Sequence, residues 1–231
     1  LDYHGTMENY FQAKRRVFTM CKTAVINIDD EYGKRLAQEF SDIAVTYSAE
    51  GNADYHAEFI RMNATGCSYM LVNEREKTAC RVDMNMTGLY NVQNSLCAIA
   101  MVAALGFDMT ECAKALSDLD GVDGRMNVVY RGDFTVITDY AHTDDALKKV
   151  LSTLKPLTKG RLICVFGAAG DRDKEKRPMM AKVAEDNADI LVITSDNPAH
   201  ENPDEIIREV MTGISGKKPC RCITDRREAI A

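Results

Sequence analysis

The fold is decided by the stretch from Arg161 to Met211, RLICVFGAAGDRDKEKRPMMAKVAEDNADILVITSDNPAHENPDEIIREVM. It contains two predicted strands, residues 161–166 and 190–194, whose apolar runs LICVF (162–166) and ILVIT (190–194) are continuous, as is typical of buried strands. Helical patterns follow them over residues 178–187 and 203–211. Alternating strands and helices predict a parallel sheet, and continuous apolar strands predict that helices cover both of its faces.

The same alternation extends the stretch in both directions. A strand over residues 134–138 and a helix over 144–154 come before it, and a strand over 221–224 comes after it. We therefore predict an α/β fold whose C-terminal domain, residues 123–231, is Rossmann-like and doubly wound. Another helix is expected to begin where the sequence stops, so we expect the end of this domain to be missing.

The N-terminal half, residues 1–122, has a mixed pattern. Between residues 55 and 87 apolar side chains alternate with polar ones, which predicts antiparallel hairpins. Gly121 and Gly124 mark the predicted domain boundary. The other predicted elements are helices over 2–18, 31–40, 92–105 and 110–119 and strands over 23–28 and 43–47.

Composition excludes several classes of protein. The formal net charge is −6 and the pI is about 5.3, so we expect no nucleic-acid partner, which would require a basic surface. No apolar run reaches the ~20 residues of a membrane helix and no signal peptide is evident, so we expect no membrane insertion and a cytoplasmic location. Most of the eight cysteines lie in apolar stretches, which indicates free thiols.

Polar loops follow three predicted strands, at residues 139–145, 167–178 and 195–201. Carboxyl ends of parallel strands meet at one edge of a sheet, where ligands bind, so we expect the loops to converge. Each loop also has a structural interpretation. Asp139 and Asp144 could cap helices, His142 could be a surface histidine, and the charged run from Asp171 could be a solvated face.

Several strings of this chain resemble the Mur ligase family, in its MurE branch, in their order and spacing almost from end to end. They are DYHGTMENY (residues 2–10), Lys14, YNVQN (90–94), GRM (124–126), DYAHT (139–143), GDRDKEKRP (170–178) and DNP (196–198). The resemblance implies that residues 1–122 are part of the central ATPase domain and that residues 123–231 are the C-terminal domain.

The resemblance implies an ATP-dependent ligase of peptidoglycan precursor synthesis, with ATP and Mg²⁺ as cofactors. Such enzymes activate the carboxylate of UDP-MurNAc-L-Ala-D-Glu as an acyl phosphate, which the amine of a diamino acid then attacks. We expect a monomer. The chemistry requires that cations neutralise the charge between ATP and the carboxylate while both substrates are held in line.

The resemblance also assigns roles to residues that contact the nucleotide. Lys14 matches a carbamylated lysine near Mg²⁺, which requires a depressed pKa in the assembled site; without the resemblance it is an ordinary surface lysine. Asn91 and Asn94, three residues apart on a helix, match the adenine-binding region, although they could instead be caps. Arg125 and Asp139 match positions that approach the ribose and phosphates.

The remaining site residues follow from the same resemblance. His142 and Lys176 are expected to be catalytic together with Lys14. The pocket for the incoming amino acid matches Arg172, Asp196, Asn197, Pro198 and Ala199.

One of these pocket residues departs from the family pattern. Enzymes that add meso-diaminopimelate usually carry arginine where this chain has Ala199. An arginine can bind the distal carboxylate in a bidentate manner. Its absence favours L-lysine over diaminopimelate, although His200 could compensate.

A Walker loop, Gly-x-x-x-x-Gly-Lys-Ser/Thr, is not found in the sequence. The nearest string, at residues 213–218, has the wrong spacing and is predicted to be a helix end and turn. We therefore expect this chain alone to be inactive, and we predict a hinge at residues 120–124. The alternatives are a non-catalytic amino-acid or nucleotide-binding module with the same fold and, with little support, a Rossmann-type oxidoreductase, whose glycine fingerprint is absent.

Overall fold

The computed structural model describes residues 3–63, 66–119 and 121–231. The chain forms two compact units, Leu1–Val136 and Ile137–Ala231. Both combine helices with strands, which confirms the α/β class.

The first unit contains a five-stranded sheet in the order β1-β2-β3-β4-β5. The strands β1 to β3 pair in parallel, whereas β3, β4 and β5 form an antiparallel meander. The predicted change to antiparallel pairing after residue 55 is therefore confirmed. The strands are β1 (Ala24–Asn27), β2 (Ala44–Ser48), β3 (Tyr55–Asn63), β4 (Gly66–Asn73) and β5 (Thr78–Met84).

Four helices accompany this sheet, and side chains cap three of them. Thr6, Asp30 and Asp108 accept hydrogen bonds from backbone N–H groups in the first turns of α1, α2 and α4, which satisfies donors that the helix leaves unpaired. The helices are α1 (Met7–Arg15), α2 (Glu31–Glu39), α3 (Leu89–Ala104) and α4 (Met109–Ser117), and a 3-10 helix (Arg16–Met20) continues α1. The first helix was predicted from residue 2, which lies outside the described residues.

The sheet is covered on both faces near β1. Ala24 and Ile26 pack with α1 and α2, through Phe11 and Leu36. On the opposite face, α3 and α4 cover β2 to β5 in the larger core. The helix α3 packs against several strands through one face, on which Val92, Leu96 and Ile99 are buried.

The chain then forms a two-stranded sheet, β6 (Asn127–Arg131) and β7 (Thr135–Thr138). The strand β6 was not predicted. We predicted β7 as a strand of the C-terminal parallel sheet, and this was wrong because β7 pairs with β6.

The second unit contains a parallel sheet in the order β10-β9-β8. Its core joins residues of β8, β9, α5, α6 and α7. The elements are α5 (Asp144–Leu154), β8 (Ile163–Phe166), α6 (Lys176–Asn187), β9 (Ile190–Ile193), α7 (Pro203–Met211), β10 (Cys220–Cys222) and α8 (Arg226–Ile230). The predicted bounds of α5 and α7 are confirmed residue for residue. Asn202 caps α7 and Pro203 occupies its first turn, where proline costs no hydrogen bond.

One expectation about this sheet was wrong. Residues 162–166 were predicted to be buried on both faces, but Ile163 and Val165 are exposed while Cys164 and Phe166 are buried. In the described residues, the core of this unit therefore covers one side of β8.

The turn after α7 is held by a buried carboxylate from α6. Glu185 accepts hydrogen bonds from the backbone N–H groups of Ser215 (2.9 Å) and Lys217 (2.9 Å) and from the Ser215 hydroxyl (2.7 Å). The interpretation of residues 213–218 as a helix end and turn is confirmed.

The predicted hinge includes two glycines with positive φ, Gly121 (125°) and Gly124 (70°), and Asp120, which lies outside the described residues. This conformation strains any residue with a β-carbon. The hinge and the boundary between residues 122 and 123 stay predictions.

Two further findings bear on the sequence. All eight cysteines are free, as expected, and burial raises the pKa of the Cys164 thiol to about 12. Within the described parts of the chain, no helix is both long enough and apolar enough to cross a bilayer.

Candidate functional site

Two of the three polar loops meet at the carboxyl ends of β8 and β9. The backbone N–H of Gly170 donates a 2.8 Å hydrogen bond to the carbonyl oxygen of Asn197. A β-carbon on Gly167 would lie 2.3 Å from the carbonyl oxygen of Thr194, and one on Gly170 would be closer still to its neighbour. Both positions require glycine because the two loops approach each other by their backbones.

The loop after β9 forms a corner at residues 196–199. The Asn197 side-chain oxygen accepts a 3.1 Å hydrogen bond from the backbone N–H of Ala199, which is an Asx-type turn. Pro198 accepts a 2.9 Å bond from the backbone N–H of Glu201. Ala199 has a φ of 48°, and its side chain is exposed, as are those of Asp196 and Asn197.

A buried guanidinium lies beneath this corner. Arg177 binds Glu201 through two hydrogen bonds, from Nη1 to Oε2 (3.0 Å) and from Nη2 to Oε1 (2.7 Å). Nη1 also donates to Glu209 of α7 at 2.6 Å, and Nη2 to the carbonyl oxygen of Ala169 at 3.2 Å. The side chain of Arg177 is 1% exposed. Its charge is therefore paired away from water, as a buried charge must be.

Sequence reasoning missed the roles of Arg177 and Glu201. Hydrogen bonds from Arg177 hold the pKa of Glu201 well below its usual range, and the same bonds raise the pKa of Arg177. Lys174, with its Nζ 3.1 Å from Glu201 Oε2, adds a second cation. The charged run from Asp171 could have been a solvated face, and the sequence gives no local sign of the partners of Arg177, which lie 24 and 32 residues away.

A second ion pair joins the two loops at the surface. The Nδ1 atom of His200 lies 2.5 Å from Asp171 Oδ2, and this contact raises the pKa of His200. Asp171 has a φ of 54°. Arg172, the next residue, is exposed, and Lys176 lies 3.7 Å from Asp173 at the start of α6.

The third polar loop follows β7, which is not a strand of this sheet. The expected meeting of all three loops at the edge of one sheet is therefore wrong. His142 is exposed, and its Nδ1 lies 3.0 Å from the carbonyl oxygen of Tyr140. Thr143 caps α5, so neither Asp139, which is half-buried, nor Asp144 is the capping residue.

In the first unit, Lys14 is exposed in the last turn of α1, with Nζ 5.6 Å from the centre of the Tyr10 ring. Glu8 joins α1 to α2 through two hydrogen bonds from Arg35, at 2.9 and 3.1 Å. Arg15 binds Glu39 of α2 in the same manner. The helix that carries Lys14 is thus fixed at both ends while Lys14 faces solvent.

The two asparagines of α3 differ in their surroundings. Asn91 is buried and its amide donates a 2.8 Å hydrogen bond to the carbonyl oxygen of Thr87, whereas Asn94 is exposed. The helix is preceded by Gly88, so neither asparagine is the cap. Between them, Gln93 donates to Asp29 at 2.7 Å, which ties the start of α3 to the end of β1.

Arg125 is exposed and pairs through its backbone with Val122 in an isolated antiparallel bridge. A cavity of about 400 Å³ in the same unit borders this segment. Its lining includes Asn85, Met86 and Met126.

Comparison with known proteins finds two family matches. The family described as "Mur ligase middle domain" matches residues 1–102, and "Mur ligase, glutamate ligase domain" matches residues 124–231. Among curated proteins, "UDP-N-acetylmuramoyl-L-alanyl-D-glutamate--2,6-diaminopimelate ligase 1" of Clostridium acetobutylicum is 41% identical over all of this chain and 48% of its own length. The corresponding ligase of Aquifex aeolicus is 40% identical over 47% of its length.

Solved structures agree with these matches. A structure of a UDP-N-acetylmuramoyl-L-alanyl-D-glutamate--2,6-diaminopimelate ligase superposes with a TM-score of 0.63 at 37% identity, over 99% of this chain and 48% of that one. MurF from Acinetobacter baumannii superposes with a TM-score of 0.76 at 18% identity, over 98% and 48%, and shows the fold alone. The chain spans about half the length of these relatives. The predicted family and Rossmann-like fold are confirmed.

Proposed function

The chain belongs to the Mur ligase family, and we propose that the protein carrying it is an ATP-dependent ligase that adds a diamino acid to UDP-MurNAc-L-Ala-D-Glu. The observation that carries the proposal is the identity of about 40% to diaminopimelate ligases along the whole chain. In this reaction the D-Glu carboxylate takes the terminal phosphoryl group of ATP and ADP leaves. The amine then forms the amide bond, losing a proton, and phosphate leaves.

We assign the diamino acid to the corner at residues 196–199 and the facing loop. The exposed guanidinium of Arg172 would bind the α-carboxylate of the incoming amino acid, since arginine binds carboxylates in a bidentate manner. Asp196 and Asn197, both exposed, would bind its ammonium group. His142 and Lys176 remain proposed catalytic residues on the same unit.

We further propose that L-lysine is preferred to meso-diaminopimelate. The side chain of Ala199 cannot bind a second carboxylate. His200 is already paired with Asp171, whose negative charge would repel that carboxylate, so we infer that His200 does not compensate. The relatives of this chain are named for diaminopimelate, so the preference for lysine rests on Ala199 and His200 and not on the relatives.

The residues of this chain fit the adenine base of ATP better than its phosphates or Mg²⁺. The exposed amide of Asn94 can donate to and accept from a base, and Asn91 would support it from the buried side. We keep Arg125 and Asp139 as proposed contacts to the ribose and phosphates. The sequence contains no Walker loop. Among residues 3–63, 66–119 and 121–231, no cluster of His, Cys, Asp and Glu could hold a metal ion.

Lys14 is therefore the one proposed magnesium ligand on this chain, as a carbamate. When bound, Mg²⁺ and ATP would supply the phosphoryl group and neutralise its charge. The cytoplasmic location, the monomeric state and the inactivity of this chain alone stay predictions.

The test is amide formation by the complete ligase that carries this sequence. Phosphate release is measured with ATP and UDP-MurNAc-L-Ala-D-Glu, with L-lysine and meso-diaminopimelate supplied separately. We expect release that depends on lysine. Release with diaminopimelate alone would keep the ligase and contradict the preference, and release with neither would favour a non-catalytic binding module.

A matched pair of variants tests the pocket. Arg172→Ala should raise KM for the diamino acid, whereas Arg208→Ala, an exposed arginine on α7, should not. Equal effects of the two substitutions would contradict the assignment of Arg172.

A further inference from the structure

The buried ion pair of Arg177 and Glu201 connects every backbone segment of the proposed diamino acid pocket. The Oε1 atom of Glu201 accepts a 2.7 Å hydrogen bond from the backbone N–H of Asp171, and its Oε2 lies 3.1 Å from Lys174 Nζ. These two residues flank Arg172. The backbone N–H of Glu201 in turn closes the corner by its bond to Pro198.

One carboxylate therefore links the loop that carries Arg172 to the corner that carries Asn197. The Arg177 guanidinium fixes that carboxylate by two bonds and anchors it to Glu209 of α7. A planar guanidinium holds a carboxylate in one orientation, whereas a lysine ammonium provides a single point charge. The geometry of the pocket thus depends on the Arg177 guanidinium, which is buried.

We propose that Arg177 and Glu201 are positioning residues that set the affinity for the diamino acid. They act by holding Arg172 and Asn197 at the distance that the substrate requires. The inference rests on the proposed function. Neither residue is a catalytic group, since Arg177 is buried and Glu201 is saturated with donors. A displacement of about 1 Å in the residues that bind a substrate is enough to lower binding and turnover substantially.

The experiment compares Arg177→Lys and Glu201→Gln with wild type in the complete ligase. KM for L-lysine should rise about tenfold or more, the ratio that corresponds to about 1.4 kcal/mol. KM for UDP-MurNAc-L-Ala-D-Glu should stay within about twofold, a change that corresponds to less than about 0.5 kcal/mol. Amide hydrogen exchange at residues 167–175 should become faster in both variants, because the side chain at position 201 that accepts from the Asp171 N–H is no longer held by the bidentate bond from Arg177.

The matched control is Glu185→Gln, which also removes a buried carboxylate from α6 and its surroundings. It should lower Tm as the other variants do, without changing KM for lysine. If Arg177→Lys does not fold, Glu209→Gln removes the negative charge from one partner of the same guanidinium. That side chain is 40% exposed, and its replacement should raise KM for lysine less.

The outcomes separate the two proposals. An active ligase whose variants keep the wild-type KM for lysine, or in which Glu185→Gln raises that KM equally, would overturn the positioning role alone. A wild-type ligase that forms no amide with either diamino acid would overturn the proposed function itself.

Discussion

A β-carbon on Gly170 would lie 1.9 Å from the carbonyl oxygen of Pro198. The loops after β8 and β9 are therefore packed backbone against backbone. Gly170→Ala must push them apart, and we expect the free energy of unfolding to fall by about 1–3 kcal/mol, the usual cost of overpacking. Urea denaturation measures this change. Gly160→Ala, with no atom near the new β-carbon, should change stability little.

The core of the first unit offers a second pair of variants. Leu96 is fully buried on α3, so Leu96→Ala should destabilise the protein by about 2–5 kcal/mol through lost burial and a cavity. Leu105, just after the same helix, is 76% exposed, and Leu105→Ala should cost less than about 0.5 kcal/mol. Similar values for the two variants would show that α3 is not packed as described.

The stability of the second unit should depend on pH through Glu185. Hydrogen bonds from Ser215 and Lys217 lower the pKa of Glu185 from 4.5 to about 2. The depressed pKa contributes stability above pH 4.5 that is lost as the pH falls through about 2. The difference in unfolding free energy between wild type and Glu185→Gln should therefore shrink with acidification. A constant difference would contradict the assignment.

The ion pair at the surface makes a prediction for His200. Asp171 raises the pKa of His200 above 6.5, so its contribution is complete below that pH and fades as the pH rises through the raised value. In Asp171→Asn the NMR titration midpoint of His200 should fall. Asp173→Asn, which removes a carboxylate paired with Lys176 instead, is the matched control and should leave the midpoint of His200 unchanged.

The preference for lysine can be tested at one residue. Ala199→Arg introduces a guanidinium at the corner, which should raise kcat/KM for meso-diaminopimelate and lower it for L-lysine in the complete ligase. Ala199→Ser is the matched control, because serine, like alanine, places a β-carbon at this position of positive φ but adds no guanidinium. An unchanged ratio of the two values would remove Ala199 from the pocket.

Local sequence patterns were sufficient to predict the helices whose two ends are clearly marked in the sequence. The helices α5 and α7 begin at a capping residue and end where their apolar periodicity ends, and the predicted bounds agree with the structure. The pairing of β7 could not be predicted, because strand partners depend on contacts that a single strand does not encode. The exposure of one side of β8 could not be predicted for the same reason, since the burial of Ile163 depends on the elements that pack beside the strand.

Part of the candidate site could likewise be predicted from the sequence, and part could not. The loops that carry Arg172 and Asn197 were located from the rule that ligands bind at the carboxyl ends of parallel strands, and β8 and β9 do bring them together. Arg177 was not identified because a buried arginine and an exposed one have identical sequence signals. Its partners, Glu201 and Glu209, are distant in sequence and become neighbours when α6 and α7 pack.

The change of direction within the first sheet has a consequence for folding kinetics. The meander β3 to β5 pairs residues that are near in sequence, such as Asn73 with Thr78, so little chain entropy is lost when it forms. The parallel pair β1 and β2 requires the intervening helix α2, and its contacts with α3 span more than 60 residues, as between Asp29 and Gln93. Contacts of such long range form slowly. The antiparallel half of the sheet should therefore acquire protection first and provide the surface on which the parallel half assembles.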